Sequence, residues 1–511
     1  MQDHLLEAKQ SDSVLDHLPL ELIIDILHYL DLATLLRCSS VSLFFYGLVK
    51  ETANLQYNIE LEANGLVDGP RNDLSSAEKL DMLRQRQTAW ERMEWVEQRT
   101  ISMANGNLYE LYGGVFAQSL AERSLVFKRL PSRYRQIEER TWTIGDVGVD
   151  MRDFSIDPGQ NLLAIIEELW IRNERSIRVH LRTLSTGEPH PSTSQPAIVS
   201  HSVDEFPPSY QIQICGDYIG VCSMGSVTGV SRLAIWNWKM RQLQMTLEGL
   251  IFSFAFLSHR HIVVSLDARP MQSLCVYNYV DNDIVDLNVD DDVHLCKFLF
   301  PPFRTPLAAV NIVIRCDPAP GWTPPADVPF YVAPDNRVYV VTLVYNVQFG
   351  QIGVYSLFIP ASTFLSRLPL PPDCGHQRDY SWPAWGPSGC RMLTNLRQSL
   401  SWVCWVYGSK FMSWDLGIHA SDETLVKPKI FDFNPLTLRR FITEKRDDIH
   451  FMEHTDGDPL GLFTEPMFTS FPYRVKMGSL DLPEWEPSDI NSIMLSEDSI
   501  LVVAVSEIGL P

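Results

Sequence analysis

Few residues in this 511-residue chain have the types and spacing that chemistry would need. Cys374 and His376, beside Asp373, come nearest to a metal-binding corner. A structural zinc site would need a second pair of ligands, which the spacing lacks, so we interpret these residues as structural. The sequence also lacks a G-x-x-x-x-G-K-[ST] phosphate loop, a G-x-S-x-G nucleophile turn and an H-E-x-x-H zinc motif. We therefore expect no catalytic residue, no metal, no cofactor and no enzymatic activity.

Three other groups of reactive or bulky side chains have simple interpretations. His259 and His261 fit a solvated turn between two strands. A cluster of aspartates fits a solvated loop, because a calcium site would need a loop with a Gly and a terminal Glu; it comprises Asp281, Asp283, Asp286 and Asp290–Asp292. Five tryptophans are expected in the core, with a target-binding surface as the alternative; they are Trp382, Trp385, Trp402, Trp405 and Trp414.

Composition restricts the ligand and the compartment. The net charge is -21, from 42 Lys plus Arg and 63 Asp plus Glu, which disfavours nucleic acid and anionic membranes. Nine cysteines without a Cys-x-x-Cys pair, and the lack of a glycosylation sequon, fit a reducing compartment. Met1 to Asp16 contain no apolar signal core, and apolar runs of about eight residues are too short to span a bilayer. We expect a soluble cytoplasmic or nuclear protein.

The segment Leu18–Leu30, LPLELIIDILHYL, predicts a helix with an unusually broad apolar surface. Its polar residues Glu21, Asp25 and His28 form one narrow stripe, whereas an ordinary surface helix has an apolar stripe of only about 100°. Asp31 is a candidate N-cap for a second helix, and Cys38–Val49 adds further large apolar residues. A module of this size, without metal or disulfides, requires a partner to cover its apolar surface. Burial is worth about 1.5–3 kcal/mol for each large apolar side chain.

These residues resemble the F-box, with the pattern L-P-x-E-L-I-x-x-I-L-x-x-L followed by Leu35 and V-S-x-x-F. The resemblance covers roughly residues 14–57, and Phe45 stands where the family more often has Trp. It implies three short helices that bind a Skp-type adaptor and, through it, a cullin. The residues expected to face the adaptor or to pack directly behind that face are Leu18, Pro19, Leu22, Ile23, Ile26, Leu27, Leu30, Leu35, Val41 and Phe45. The alternative is an ordinary apolar helical hairpin packed on the rest of the chain.

A connecting segment follows this module. Residues 62–74 have the composition of a loop, and Ser75 to Glu78 form a capping-box sequence that predicts a helix ending near Glu97. This helix either packs on the next domain or also serves as a stiff strut. We divide the chain into a flexible N-terminus (1–13), the F-box (14–57), the linker and connecting helix (58–98) and a large receptor domain (99–511).

The large domain consists of short strands and turns. Strand–turn–strand units begin at Phe154, Tyr210 and Phe252, which are roughly 40–55 residues apart and predict propeller blades. Pro-rich stretches at 317–329 and 368–390 look like insertions, and 493–506 is expected to complete the ring beside 109–129. The predicted fold is multidomain α plus all-β, with a degenerate propeller of six to eight blades. It resembles WD-repeat receptors but nearly lacks Trp-Asp signatures.

Together these features predict the substrate-recognition subunit of a Skp–cullin–F-box ubiquitin ligase. The F-box would dock the adaptor, the propeller would capture an unknown protein target, and proximity would accelerate ubiquitin transfer. Two alternatives stay open. One is an adaptor-binding scaffold that acts outside a cullin ligase. The other is a propeller hydrolase with a helical appendage, which would need a convergent polar or metal site in the central channel, and the sequence offers no candidate for one.

Overall fold

The computed structural model describes residues 18–504, apart from several internal gaps. The gaps are 105, 172–173, 194–197, 204–205, 226–228, 268–271, 281–285, 292, 305–308, 348–350, 370–376, 395, 398–404, 419–423, 444–454, 457, 459–460, 465–466, 483–484 and 487–488. Some of the predicted residues therefore lie outside the described part of the chain: Asp281, Asp283, Asp292, Asp373, Cys374, His376 and Trp402.

The N-terminal module contains four helices: α1 (Leu20–His28), α2 (Leu32–Ser39), α3 (Leu43–Glu51) and α4 (Ala53–Ala63). The predicted N-cap at Asp31 is confirmed, since its carboxylate accepts a hydrogen bond of 2.9 Å from the backbone N–H of Thr34. The Ser42 hydroxyl caps α3 in the same way by accepting from Phe45 N–H at 3.3 Å. The fourth helix was not predicted from the sequence.

The connecting helix α5 (Ser76–Arg92) begins at the predicted capping box, where the Ser75 hydroxyl accepts from Glu78 N–H and the Glu78 carboxylate accepts from Ser75 N–H. The expected extension to Glu97 is wrong, because Met93 adopts a left-handed conformation with φ 51° and ends the helix. The loop predicted over 62–74 contains a strand, β1 (Leu66–Asp68). It pairs antiparallel with β20 (Phe330–Val332) and so joins the helical module to the propeller.

The large domain is a propeller of six blades, which lies within the predicted range of six to eight. Blades one to three are formed by successive strands. Their bounds are β2 (Tyr109–Tyr112), β3 (Val115–Ala121), β4 (Ser124–Arg129) and β5 (Arg140–Ile144); β6 (Asp153–Asp157), β7 (Leu162–Ile171), β8 (Glu174–Thr183) and β9 (Ile198–Val203); β10 (Tyr210–Cys215), β11 (Tyr218–Ser223), β12 (Ser231–Asn237), β13 (Gln242–Gly249) and the parallel outer strand β17 (Asp286–Asn288).

Blades four to six contain longer insertions between their strands. Their bounds are β14 (Ile251–Phe256), β15 (His261–Leu266), β16 (Ser273–Asn278), β18 (Cys296–Leu299) and the parallel β23 (Arg378–Tyr380); β19 (Ala309–Arg315), β21 (Val338–Val347), β22 (Gln351–Pro360) and β24 (Arg391–Thr394); β25 (Val406–Tyr407), β26 (Lys410–Ile418), β27 (Thr424–Asp432), β30 (Arg474–Met477) and β31 (Leu480–Leu482). The remaining elements are α6 (Ala361–Leu365), α7 (Trp382–Gly389), α8 (Pro435–Thr443), the pair β28 (Thr455–Asp456) and β29 (Phe468–Thr469), and 3-10 turns at Pro158–Gln160 and Val289–Asp291.

A two-stranded hairpin of β32 (Ile490–Leu495) and β33 (Ile500–Ala504) completes the ring between the sixth and first blades. Met494 packs with Leu111 and Phe116 of the first blade. On its other side, Ile493 packs in a cluster with Met412 and Trp414 of the sixth blade. The predicted contribution of this C-terminal segment to ring closure therefore occurs through side-chain packing.

The described members of the predicted tryptophan group all lie in the core and not on an exposed surface. Trp382 and Trp385 of α7 pack in the cluster shared by the fourth and fifth blades, whereas Trp405 and Trp414 are buried near the sixth. His259 lies in the turn between β14 and β15, as expected.

Candidate functional site

The residues predicted to bind an adaptor separate into an outward-facing set and an inner set. Pro19, Leu22, Ile26 and Val41 are exposed. Six pack inward: Ile23, Leu27 and Leu35 are buried in the core of the helical module, and Leu18, Leu30 and Phe45 are half-buried against it. The placement fits one face with its supporting layer, but it does not test adaptor binding.

The helical module exposes a continuous set of large apolar side chains on α1, α2 and α3 and the turns between them, here called the docking face. Nine of the 22 exposed large apolar residues of the described chain lie within this short segment. Leu43, Tyr29 and Val41 are 90%, 87% and 74% exposed. The complete set is Leu20, Leu22, Ile26, Tyr29, Leu36, Val41, Leu43, Phe44 and Tyr46. Such concentration is typical of a protein-binding surface.

Motif matching missed six members of the docking face, because the motif emphasises positions that support the fold. They are Leu20, Tyr29, Leu36, Leu43, Phe44 and Tyr46. The signal that identifies them is the surplus of large apolar residues, since a helix with more than one apolar face leaves the additional face uncovered.

Helix α4 connects this module firmly to the propeller. Leu55 packs into the core of α1 to α3, whereas Tyr57 and Leu61 pack into a second core with Leu83 of α5 and Phe330 of β20. Because one short helix contributes to both cores, the docking face cannot move independently of the propeller without exposing apolar surface.

Polar contacts reinforce this connection at the far end of α4. Arg440 of α8 forms an ion pair of 2.8 Å with Glu60, which is buried. The Asn434 amide and the Thr437 hydroxyl both donate to the Ala63 carbonyl at 3.1 Å. These bonds satisfy a carbonyl at the C-terminus of α4 that has no partner within the helix.

Helix α5 is anchored by a buried cluster of charges. Arg86 pairs with Asp498 in the turn of the closing hairpin, and Arg135 of the first blade pairs with both Glu497 and Asp498. Burial alone would raise the pKa of Asp498, but Arg135, Arg86 and the Ser132 hydroxyl outweigh it and hold that pKa far below its usual range. The connecting helix therefore packs on the propeller and also fixes the closing hairpin.

The Pro-rich insertion crosses the end of the channel that lies nearest the helical module. Residues 317–323, here called the floor segment, contact the turns that join the first two strands of blades one to four. Ala319 N–H donates to the Tyr112 hydroxyl at 3.1 Å, and Gly321 lies against Gly216 and His259. Helices α4 and α5 contact the equivalent turns of blade five and of the closing hairpin, so the floor segment and the docking face share one side of the ring.

Above the floor segment the channel contains a cavity with an empty volume of about 690 Å³. Its wall is formed by β2, β6, β10, β19 and β32, and its polar lining includes Glu110, Ser155, Gln213, Arg315 and Asp317. The carboxylate of Glu110 accepts hydrogen bonds from the Ser155 hydroxyl at 3.0 Å and from Ile156 N–H at 3.1 Å. Sequence reasoning offered no candidate here, because these residues come from separate blades.

The chemistry available in this cavity is limited. Burial raises the pKa of Glu110 well above its ordinary value, and Asp153 and Asp317 raise it further. A carboxyl group that is protonated at neutral pH is a poor general base for the adjacent Ser155. Burial also raises the pKa of the Cys316 thiol to about 12, which disfavours the nucleophilic thiolate. These residues do not support the hydrolase alternative.

Two further observations concern other classes of site. Within the described ranges, no cluster of three or more His, Cys, Asp or Glu side chains is arranged to hold a metal ion. No described helix combines the length and the apolar character that crossing a bilayer requires.

An apolar docking module fixed to a closed ring of blades defines a non-enzymatic adaptor or scaffold class of protein. Residues 15–59 match the sequence model of the family described as F-box-like. The chain is thus an F-box protein with a C-terminal β-propeller domain. No curated protein matches the chain.

Solved structures give only distant similarities. Kluyveromyces lactis Hsv2 matches at 11% identity and a TM-score of 0.27, covering 51% of this chain and 71% of that chain. The uncharacterized protein lmo1340 from Listeria monocytogenes EGD-e matches at 9% and 0.27, covering 58% and 82%. Kuenenia stuttgartiensis hydrazine synthase matches at 9% and 0.34, covering 80% and 98%. Similarities this low carry no functional argument.

Proposed function

We propose that this protein is the substrate-recognition subunit of a Skp–cullin–F-box ubiquitin ligase. The observation that carries the proposal is the docking face, which exposes nine large apolar side chains on helices that match the F-box-like family. F-box domains generally bind Skp-type adaptors, and covering this face would contribute about 1.5–3 kcal/mol for each side chain fully buried. The adaptor then connects the chain to a cullin.

The propeller would hold the target protein at a fixed distance from the adaptor. The two cores that share α4, and the ion pairs of α5 with the closing hairpin, support a rigid connection between the two parts. A rigid connection favours ubiquitin transfer because it keeps the captured protein within reach of the charged enzyme. The side of the ring away from the floor segment is left for the target.

Adaptor binding is tested by matched substitutions of two exposed isoleucines. Ile26 on the docking face is 53% exposed and Ile352 on the propeller is 60% exposed. Placing a charge in a buried interface is costly, so we expect Ile26→Asp to abolish co-purification with a Skp-type adaptor and Ile352→Asp to leave it unchanged. The double variant Leu18→Ala with Pro19→Ala is also expected to lose the adaptor while the propeller stays folded. Undiminished binding by Ile26→Asp would reject the proposal.

A reconstituted ligase distinguishes this function from a scaffold outside a cullin complex. Affinity purification of the full chain and of Ile26→Asp would first identify bound proteins, and targets should remain bound to both. We expect ubiquitination of such a target with the unmodified chain and none with Ile26→Asp. Adaptor binding without cullin recruitment or target ubiquitination would favour the scaffold instead.

A further inference from the structure

The central cavity has the properties of a binding site that the docking function does not use. Its empty volume of about 690 Å³ lies within the range of about 300–1,000 Å³ typical of small-ligand sites. Its lower boundary includes Asp317 and Ala319 of the floor segment, and its wall extends to Tyr109, the first residue of β2. The lining combines apolar residues with a few converging polar groups, as binding pockets do.

The charged groups of this cavity favour a cation. Two carboxyl groups, Glu110 and Asp317, line it against a single cationic side chain, Arg315. The Arg315 guanidinium already lies over the Trp405 ring, 5.5 Å from its centroid. The buried Asp153 carboxyl adds a further negative influence on Glu110 from the neighbouring blade. An incoming anion would meet these carboxyl groups, whereas a cation would restore the charge of Glu110.

The remaining groups that face Glu110 supply no competing positive charge. Ser155 and Ile156 donate one hydrogen bond each, and the lining side chains Tyr109, Tyr112 and Cys316 are neutral at physiological pH. Apolar side chains from β10 and β32 complete the wall, which suits the methylene chain next to an alkylammonium group.

We propose that the central cavity binds an alkylammonium group, which forms an ion pair with Glu110 above the floor segment. Two sources carry this group: the lysine side chain of a captured protein and a free amine. Assigning it to a captured protein rests on the proposed receptor function, whereas the cation site itself does not. The floor segment limits the depth to which a side chain can enter.

Isothermal titration calorimetry of the full chain with three probes tests the site. The probes are butylammonium chloride, a blocked lysine pentapeptide and the same peptide with norleucine in place of lysine. We expect the two cations to bind and the norleucine peptide not to bind. The expected heat depends on the buffer, because Glu110 releases a proton when the cation binds. Binding of butylammonium but not of the lysine peptide would identify a free amine and overturn the side-chain source.

Glu110→Gln is the matched variant, because it keeps the size of the side chain and removes its charge. We expect its affinity for the cations to fall about tenfold or more, as for the loss of a charged hydrogen bond, together with the proton release. Equal affinity in the variant, an equal response to norleucine, or preferential binding of butyrate would overturn the proposal. Adaptor co-purification should be unchanged in this variant, so failure of the cation site is distinguishable from failure of the receptor function. If this variant did not fold, the buffer dependence in the unmodified chain would decide, and its absence would reject the role of Glu110.

Discussion

Arg86 of the connecting helix and Asp498 of the closing hairpin form a buried ion pair, although they are 412 positions apart in the sequence. Arg135 of the first blade shares the same carboxylate, and the Ser132 hydroxyl donates to it at 2.6 Å. One aspartate therefore connects the helix that supports the docking face, the first blade and the hairpin that closes the ring.

Replacing Asp498 with Asn should strongly destabilise the protein. The change leaves Arg86 and Arg135 buried with a missing counter-charge, and breaking a buried pair costs about 3–5 kcal/mol. Denaturant unfolding followed by tryptophan fluorescence measures the loss. The matched control is Asp327→Asn, because Asp327 pairs with Arg129 at 2.7 Å but its side chain is 53% exposed. The control should lose about 1 kcal/mol or less, and an equal loss in both variants would contradict the central role of Asp498.

The same carboxylate should make stability depend on acid. The pKa of Asp498 is depressed in the folded protein, so its contribution is present above the unfolded value of about 3.9 and is lost as the pH falls toward the folded value. Thermal unfolding from pH 7 to pH 3 should therefore show a steeper decline for the unmodified chain than for Asp498→Asn. Parallel declines in the two proteins would show that other groups dominate acid unfolding.

Glu110 should have the opposite effect. Its pKa is raised in the folded protein, so the stability it contributes is complete below the unfolded value of about 4.3 and declines as the pH rises through the folded pKa. The Ser155 hydroxyl can donate to or accept from an amide, so Glu110→Gln should fold. Its melting temperature should approach or exceed that of the unmodified chain between pH 6 and pH 8. A variant that is less stable by the same amount at every pH would contradict the raised pKa.

Local features of the chain were predictable from its sequence, and features made by two distant segments were not. The apolar surplus from Leu18 to Tyr46 is visible because it lies within one short segment. Helix α4 lacks a clear apolar stripe because Leu55 packs toward one core and Tyr57 and Leu61 toward another. Its pattern is therefore a mixture that a single periodicity does not detect.

The central cavity shows the same limit more strongly. Ala319 N–H and the Tyr112 hydroxyl that accepts its hydrogen bond are 207 positions apart, and Glu110 gains its neighbours only when the ring closes. The early end of α5 also depends on tertiary contacts. The Trp95 indole N–H donates to the Ser479 carbonyl at 3.0 Å and draws the chain after Met93 onto the sixth blade.

Gly65 provides a last test of the connection between the helical module and the propeller. It has φ +64°, and a Cβ added there would lie 1.7 Å from the Asn336 side chain in the turn between β20 and β21. Gly114 is the matched control, because it has φ +75° and open space around the added atom. Alanine at Gly114 should cost about 1 kcal/mol through backbone strain alone.

Alanine at Gly65 should cost clearly more than this, because Asn336 must also move and lose its contact with the Gly65 carbonyl. Denaturant unfolding gives the difference, and hydrogen exchange of β1 and β20 should increase in Gly65→Ala but not in Gly114→Ala, since the pairing of these strands begins beside Gly65. Equal costs and unchanged exchange would mean that the turn yields freely and that the connection does not depend on this close approach.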